Sequence, residues 1–95
     1  MEFEWDPVKA AAHVKTHAVE FAEAVTVLSD PLEVTIPDPD HSVGERRFLS
    51  IGRSTARRLI VVAYTERAGR IRIINAPEAS SQERKHYEST NPSKR

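Results

Sequence analysis

Eight residues near the middle of the chain, Arg58-Leu59-Ile60-Val61-Val62-Ala63-Tyr64-Thr65, are apolar on both faces once side chains are read with the strand period of two. That is the pattern of a central strand, buried on each side. The chain has 95 residues, room for one domain and one core around that strand. A core of this size is marginal, so help from a partner or a dimer is expected. We read residues 1–90 as one domain and 91–95 as a frayed tail.

The neighbouring segments supply the rest of a sheet. Glu66-Arg67-Ala68-Gly69 reads as a hairpin loop, with Gly69 available for positive φ. Arg70 to Ile74 returns as the next strand, Arg70 and Arg72 pointing one way and Ile71 and Ile73 the other. Arg47 to Arg53 reads as a strand, and Leu32, Val34 and Ile36 alternate with Glu33 and Thr35 as another. Pro37-Asp38-Pro39-Asp40 reads as a loop, because proline cannot donate to a ladder. Phe3-Glu4-Trp5 alternates like a short strand.

Helices are signalled on both sides of these strands. Asp6-Pro7 is an N-cap followed by proline at the first helical position, which predicts a helix over Pro7 to His17. Phe21, Ala24, Val25 and Leu28 form the buried stripe of a second helix, stopping near Ser29-Asp30-Pro31. Ser80 and Glu83 match a capping box ahead of a polar third helix whose one large buried candidate is Tyr87. A helix so polar is expected to be weakly held. The predicted order is β-α-α-β-β-β-β-α, an α+β fold with an antiparallel sheet and helices gathered to one side.

Net charge is zero, but residues 1–43 carry a balance of −7 and residues 44–95 a balance of +7. Arginine supplies ten of the twelve cations of the second half. Its planar fork suits phosphate, so a basic half can steer a polyanion. The alternative is that the two halves pair with each other. The chain has no cysteine, which excludes disulfides, thiolate metal sites and a thiol nucleophile. No apolar run reaches the roughly 20 residues of a membrane span. The acidic start lacks the order of a signal peptide, so the expected location is cytoplasmic.

The residues around the central hairpin are the strongest candidates for chemistry. RNA cleavage by the 2′-hydroxyl needs a base for the 2′ proton, cations for the charged phosphorane and an acid for the leaving 5′ oxygen. Glu66 is the candidate base. Arg67, Arg70 and Arg72 are candidate phosphate donors, and Arg53 and Arg57 could add to the field. The competing reading is a sheet with one wet face. His41 is a candidate acid or base and Trp5 a candidate base-stacking surface, with core packing as its default. His13 and His17 have metal-ligand spacing but no third ligand, so exposed helix positions are expected and no metal or cofactor. No Gly-rich phosphate loop is present.

The sequence resembles the BrnT family over residues 3–88. The resemblance is carried by Phe3-x-Trp5-Asp6-Pro7-x-Lys9-Ala10, by His17-x-Val19-x-Phe21-x-Glu23-Ala24 and Asp30-Pro31, and by Asp40-His41-Ser42. It continues through Glu45-x-Arg47-Phe48-x-x-Ile51-Gly52, the 61–74 hairpin, and Glu83-Arg84-x-x-Tyr87-Glu88. It implies a RelE-like fold and a ribonuclease toxin that blocks translation. It also implies a BrnA-type antitoxin, with operator DNA reached only through that antitoxin, and a dimer or heterotetramer with it. Glu66, Arg67 and Arg72 would be active residues, with Arg70 and Trp5 beside them. The chain departs from the family pattern at Asn75-Ala76-Pro77, where Ser-Ala-Arg is expected, and at Glu78, His13 and Ala18. Proline at 77 removes a guanidinium and a backbone N–H together.

Overall fold

A computed structural model describes residues 2–38 and 44–90. Strand β1 (Glu2–Glu4) leads into helices α1 (Pro7–His17) and α2 (Phe21–Val27). Strands β2 (Val34–Pro37), β3 (Arg47–Arg53), β4 (Leu59–Arg67) and β5 (Arg70–Asn75) follow, and helix α3 (Ser81–Thr90) ends the described chain. The strands form one mixed sheet in the order β1-β5-β4-β3-β2. The fold is α+β. His41 and the 91–95 tail lie outside the described residues.

The helix signals act as the chemistry demands. The Asp6 carboxylate accepts from the N–H of Val8 at 2.9 Å and of Lys9 at 3.4 Å, satisfying donors the first turn leaves open. α1 stops at Ala18, whose φ of 56° lies in the left-handed region and whose N–H bonds the Val14 carbonyl. The capping box closes reciprocally: Ser80 N–H donates to Glu83 at 2.8 Å, and Glu83 N–H donates to the Ser80 hydroxyl at 3.2 Å.

Two expectations about the sheet are corrected. It is not wholly antiparallel, because β1 runs parallel to β5, with Glu2, Phe3 and Glu4 opposite Arg70, Ile71 and Arg72. Nor do the helices share one side. Val19, Phe21, Ala24 and Val27 pack on Ile60, Val62 and Ile73, whereas Tyr87 of α3 packs on Ile51, Leu59 and Val61. Adjacent strand residues point to opposite faces, so α1 and α2 cover one face and α3 the other. Pro37, expected in a loop, is the last residue of β2, opposite Phe48. β2 is an edge strand, where a missing N–H costs no ladder bond.

α3 is also held more firmly than its polarity suggested. Tyr87 is buried and its hydroxyl donates to Asp30 Oδ2 at 2.8 Å. Burial first, and then Asp30, push the Tyr87 phenol up to about 12. Asp30 also accepts from the N–H of Arg53 at 2.8 Å and of Leu32 at 2.9 Å. Gly52 makes room for this carboxylate: a Cβ there would lie 3.1 Å from Asp30 Oδ2 and 3.0 Å from Val27.

His13, expected on an exposed helix face, is buried. Its Nε2 donates to the Ala76 carbonyl at 2.9 Å, and its ring meets Phe21 at 5.0 Å and His17 at 4.5 Å between centroids. This bond joins α1 to the end of β5. Among the described residues no group of His, Asp and Glu could hold a metal ion, and no helix is long and apolar enough to cross a membrane.

Candidate active site on the open sheet face

The hairpin that ends β4 and begins β5 is tighter than the sequence suggested. Arg67 pairs directly with Arg70, leaving only Ala68 and Gly69 as the loop, with φ of 55° and 78°. Positive φ at both central residues is the type I′ pattern, whose twist matches that of the flanking strands. Glu66 is therefore a ladder residue, not a turn residue.

That change decides where the candidate side chains go. Residues directly opposite one another in a ladder share a face. Glu66 opposes Ile71, and Tyr64 opposes Ile73, so Glu66 lies on the face that carries the α1–α2 core. Arg67 opposes Arg70 and Thr65 opposes Arg72, so the three arginines share the other face. Arg47, opposite Thr65, belongs to that face too. The structure brings Arg67, Arg70 and Arg72 together and does not bring Glu66 to them. Glu66 is exposed, with no ion-pair partner among the described residues.

The remaining candidates lie elsewhere. Arg53 opposes Leu59 at the far end of β4, eight residues from Arg67, or roughly 26 Å of strand at about 3.3 Å per residue. Its guanidinium sits 5.9 Å from the centre of the Tyr87 ring, over α3's anchor. Arg57 is exposed in the β3–β4 turn, with φ of 67°. Trp5 is half-buried and meets Phe21 edge-on, centroids 6.2 Å apart, which gives it a packing role in the first core.

Each hairpin arginine already grips a carboxylate. Arg72 Nη1 donates to Glu4 Oε2 at 3.0 Å, and Arg70 Nη1 reaches Glu4 Oε1 at 3.4 Å. Arg70 Nε lies 3.1 Å from Glu2 Oε1. Arg67 Nη2 reaches both Glu45 oxygens at 3.1 Å. The Arg72 hydrogen bond is the largest influence on Glu4, and with Arg70 it outweighs the opposing effect of burial. The Glu4 carboxyl is thereby held below its ordinary value of 4.5. Sequence reasoning missed Glu4 and Glu45. The alternation of Phe3 and Trp5 with Glu2 and Glu4 marks a polar face, but the parallel pairing to β5 left no local trace.

The arginine face continues toward α3. A groove between α3 and the sheet is lined by Ile36, Leu49, Ile51, Val61 and His86. Beyond Asn75 the chain stays beside β4: Val61 N–H donates to the Pro77 carbonyl and Ala79 N–H to the Leu59 carbonyl, both at 2.9 Å. Glu78 forms a bridge with Ile60, keeping the register of Ala63 with Asn75. Pro77 thus stands opposite Val61, on the arginine face. Its missing N–H leaves one rung out of this extension.

A sequence profile of the ribonuclease toxin BrnT of type II toxin–antitoxin systems matches residues 5–83. The chain belongs to the BrnT toxin family. Its fold is similar to the crystal structure of the Brucella abortus ribonuclease toxin BrnT, with a TM-score of 0.67. That similarity covers 85% of this chain and 99% of the Brucella chain at 21% identity, a likeness of fold alone. No curated protein matches the sequence. BrnT membership makes this chain the toxin partner in a type II toxin–antitoxin pair and puts it in a ribonuclease family.

Proposed function

We propose that this BrnT family member is an endoribonuclease on a RelE-like scaffold. It cleaves RNA through the substrate's own 2′-hydroxyl, blocks translation in the cytoplasm and is neutralised by a BrnA-type antitoxin. The observation that carries this reading is the alignment of Arg70 and Arg72 on one strand, each already bonded to the same Glu4 carboxylate. Two guanidinium groups that share one carboxylate can share the non-bridging oxygens of a phosphodiester. In that position they stabilise the extra negative charge of the phosphorane. Arg67 extends the cationic row toward the hairpin tip. Because the nucleophile belongs to the substrate, the reaction needs no metal from the protein.

The test is cleavage of single-stranded RNA by the purified protein in EDTA, comparing wild type with Arg72→Ala and Glu66→Gln. Arg72→Ala should slow cleavage by about a hundredfold or more. An unchanged rate would remove the phosphate site. A comparable loss in Glu66→Gln would return the base role to Glu66 and require the hairpin tip to turn during the reaction.

A second reading is favoured by one observation. Pro77 occupies the arginine face at a position where the BrnT resemblance leads one to expect arginine, and every hairpin arginine has a carboxylate partner. On this reading the chain binds its antitoxin and takes part in operon regulation, but is catalytically silent. Growth arrest on expression of Pro77→Arg, absent with the natural sequence, would establish it. Arrest with the natural sequence would exclude it.

A further inference from the structure

The ribonuclease reading leaves the arginine face without its base, since Glu66 points to the other side of the sheet. Among the described residues, three carboxylates pair with the hairpin arginines: Glu2, Glu4 and Glu45. Glu45 places both oxygens on one nitrogen of Arg67. Glu2 is 75% exposed and meets Arg70 through its Nε. Glu4 differs from both. Its side chain is 26% exposed, and its two oxygens bridge Arg70 and Arg72.

We propose that Glu4 is the general base of this site, displaced from Arg70 and Arg72 by the scissile phosphate and left beside it to take the 2′ proton. The proposal rests on the ribonuclease reading and supplies the residue that reading lacks.

Phosphate and carboxylate compete for the same guanidinium groups. A phosphodiester bound across Arg70 and Arg72 occupies the place of the Glu4 carboxylate. The pair is part-exposed, Arg72 at 31% and Glu4 at 26%, so water reaches it and a phosphate can enter in the carboxylate's place. The displaced carboxylate stays on β1, whose backbone is fixed in register opposite Arg72. It therefore remains next to the phosphate and within reach of the adjoining ribose. Its basicity also changes in the useful direction. In the free protein Arg72 and Arg70 hold the Glu4 carboxyl low. Once those guanidinium groups serve the phosphate, that influence weakens and the carboxylate becomes a better proton acceptor. The free site is charge-compensated, and the base is released by the binding event itself.

The step balances. The 2′-O–H proton passes to Glu4 as the 2′ oxygen attacks phosphorus. The bond from phosphorus to the 5′ oxygen breaks, and the leaving oxygen takes a proton from water. The products are a 2′,3′-cyclic phosphate and a 5′-hydroxyl end, with Glu4 returned to its ionised form by solvent.

The experiment uses the full chain, wild type and Glu4→Gln, Glu4→Asp and Arg72→Ala. Two quantities are read: cleavage of a mixed-sequence single-stranded RNA, and binding of a fully 2′-O-methylated oligonucleotide, which has no nucleophile. Glu4→Gln should cut cleavage by about a hundredfold or more. It should bind the methylated oligonucleotide as tightly as wild type or more tightly, because a competing anion is gone. Glu4→Asp should recover part of the rate, and the acid limb of the wild-type pH–rate profile should be absent from the residual Glu4→Gln activity. Glu4→Gln that cleaves at or above the wild-type rate while Arg72→Ala is inactive overturns the base assignment and leaves the ribonuclease reading standing. Parallel loss of binding and cleavage in Glu4→Gln overturns it as well, reducing Glu4 to a structural pair. No cleavage by wild type overturns both readings.

Discussion

Glu23 with Arg58, and Glu4 with Arg70 and Arg72, are built from the same chemistry and do different work. Glu23 lies on α2 and reaches across to the β3–β4 turn. It accepts from the Ser54 hydroxyl at 2.6 Å and from Arg58 Nε at 3.0 Å, and its other oxygen meets Arg58 Nη2. Thr26 on the same helix accepts the Thr55 N–H at 3.0 Å. The carboxylate is satisfied on several sides, and its environment fixes α2 against one end of the sheet. Glu4 stands at the hairpin end, its side chain 26% exposed against 16% for Glu23, and its oxygens meet two arginines of one strand. Glu23 joins a helix to a turn, while Glu4, as the proposed base, changes partner when RNA binds. The same ion pair is therefore a fastener in one place and an exchangeable contact in the other.

The contrast can be broken by removing each carboxylate in turn. Glu23→Ala should lower unfolding free energy by about 2 kcal/mol, since it strips several bonds from a half-buried Arg58 and from Ser54. Urea unfolding followed by circular dichroism measures this. A change within error would place Glu23 among ordinary surface charges.

Acid should act on Glu23 through the same bonds. The Arg58 hydrogen bond, aided by Ser54, holds the Glu23 carboxyl below its ordinary 4.5 against the effect of burial. A lowered folded-state value means stability that is present above the unfolded value and lost as pH falls through the folded one. Wild-type stability should therefore decline on acidification below about pH 4.5, and Glu23→Ala should decline less steeply. Equal slopes in the two proteins would show that Glu23 does not couple protonation to folding.

The smallest effect is expected at the hairpin end. Glu4→Gln should shift the urea midpoint less than Glu23→Ala, because the amide keeps the side chain's shape and can still accept from Arg72. A loss as large as that of Glu23→Ala would make the two clusters equivalent and remove the distinction between fastener and exchangeable contact.

Much of the architecture was legible locally. Asp6-Pro7 announced the start of α1, Ser80 and Glu83 the start of α3, and the apolar run from Leu59 the central strand. Each depends on neighbours within a few residues. What the sequence did not disclose depends on distant ones. Tyr87 anchors α3 through Asp30, 57 residues away, and no local pattern announces that bond. β1 joins β5 from the other end of the chain. The asymmetry of charge fits either a polyanion site or pairing of the two halves, and that pairing is what Glu2, Glu4 and Glu23 with Arg70, Arg72 and Arg58 display. The position of Glu66 was lost to loop length. A four-residue loop leaves its direction open, whereas a two-residue loop forces Arg67 opposite Arg70 and Glu66 opposite Ile71. The hydrophobic partner, not the charged one, shares its face.

The parallel strand at the sheet edge has a consequence for how the molecule comes to be. Its contact with β5 spans 68 residues of sequence, so it closes only when nearly the whole chain is available. In the interval before it closes, Arg70 and Arg72 lack the Glu4 carboxylate that bridges them in the finished sheet. A bulky fusion placed immediately ahead of Glu2 would prolong that interval by hindering the strand from reaching its edge.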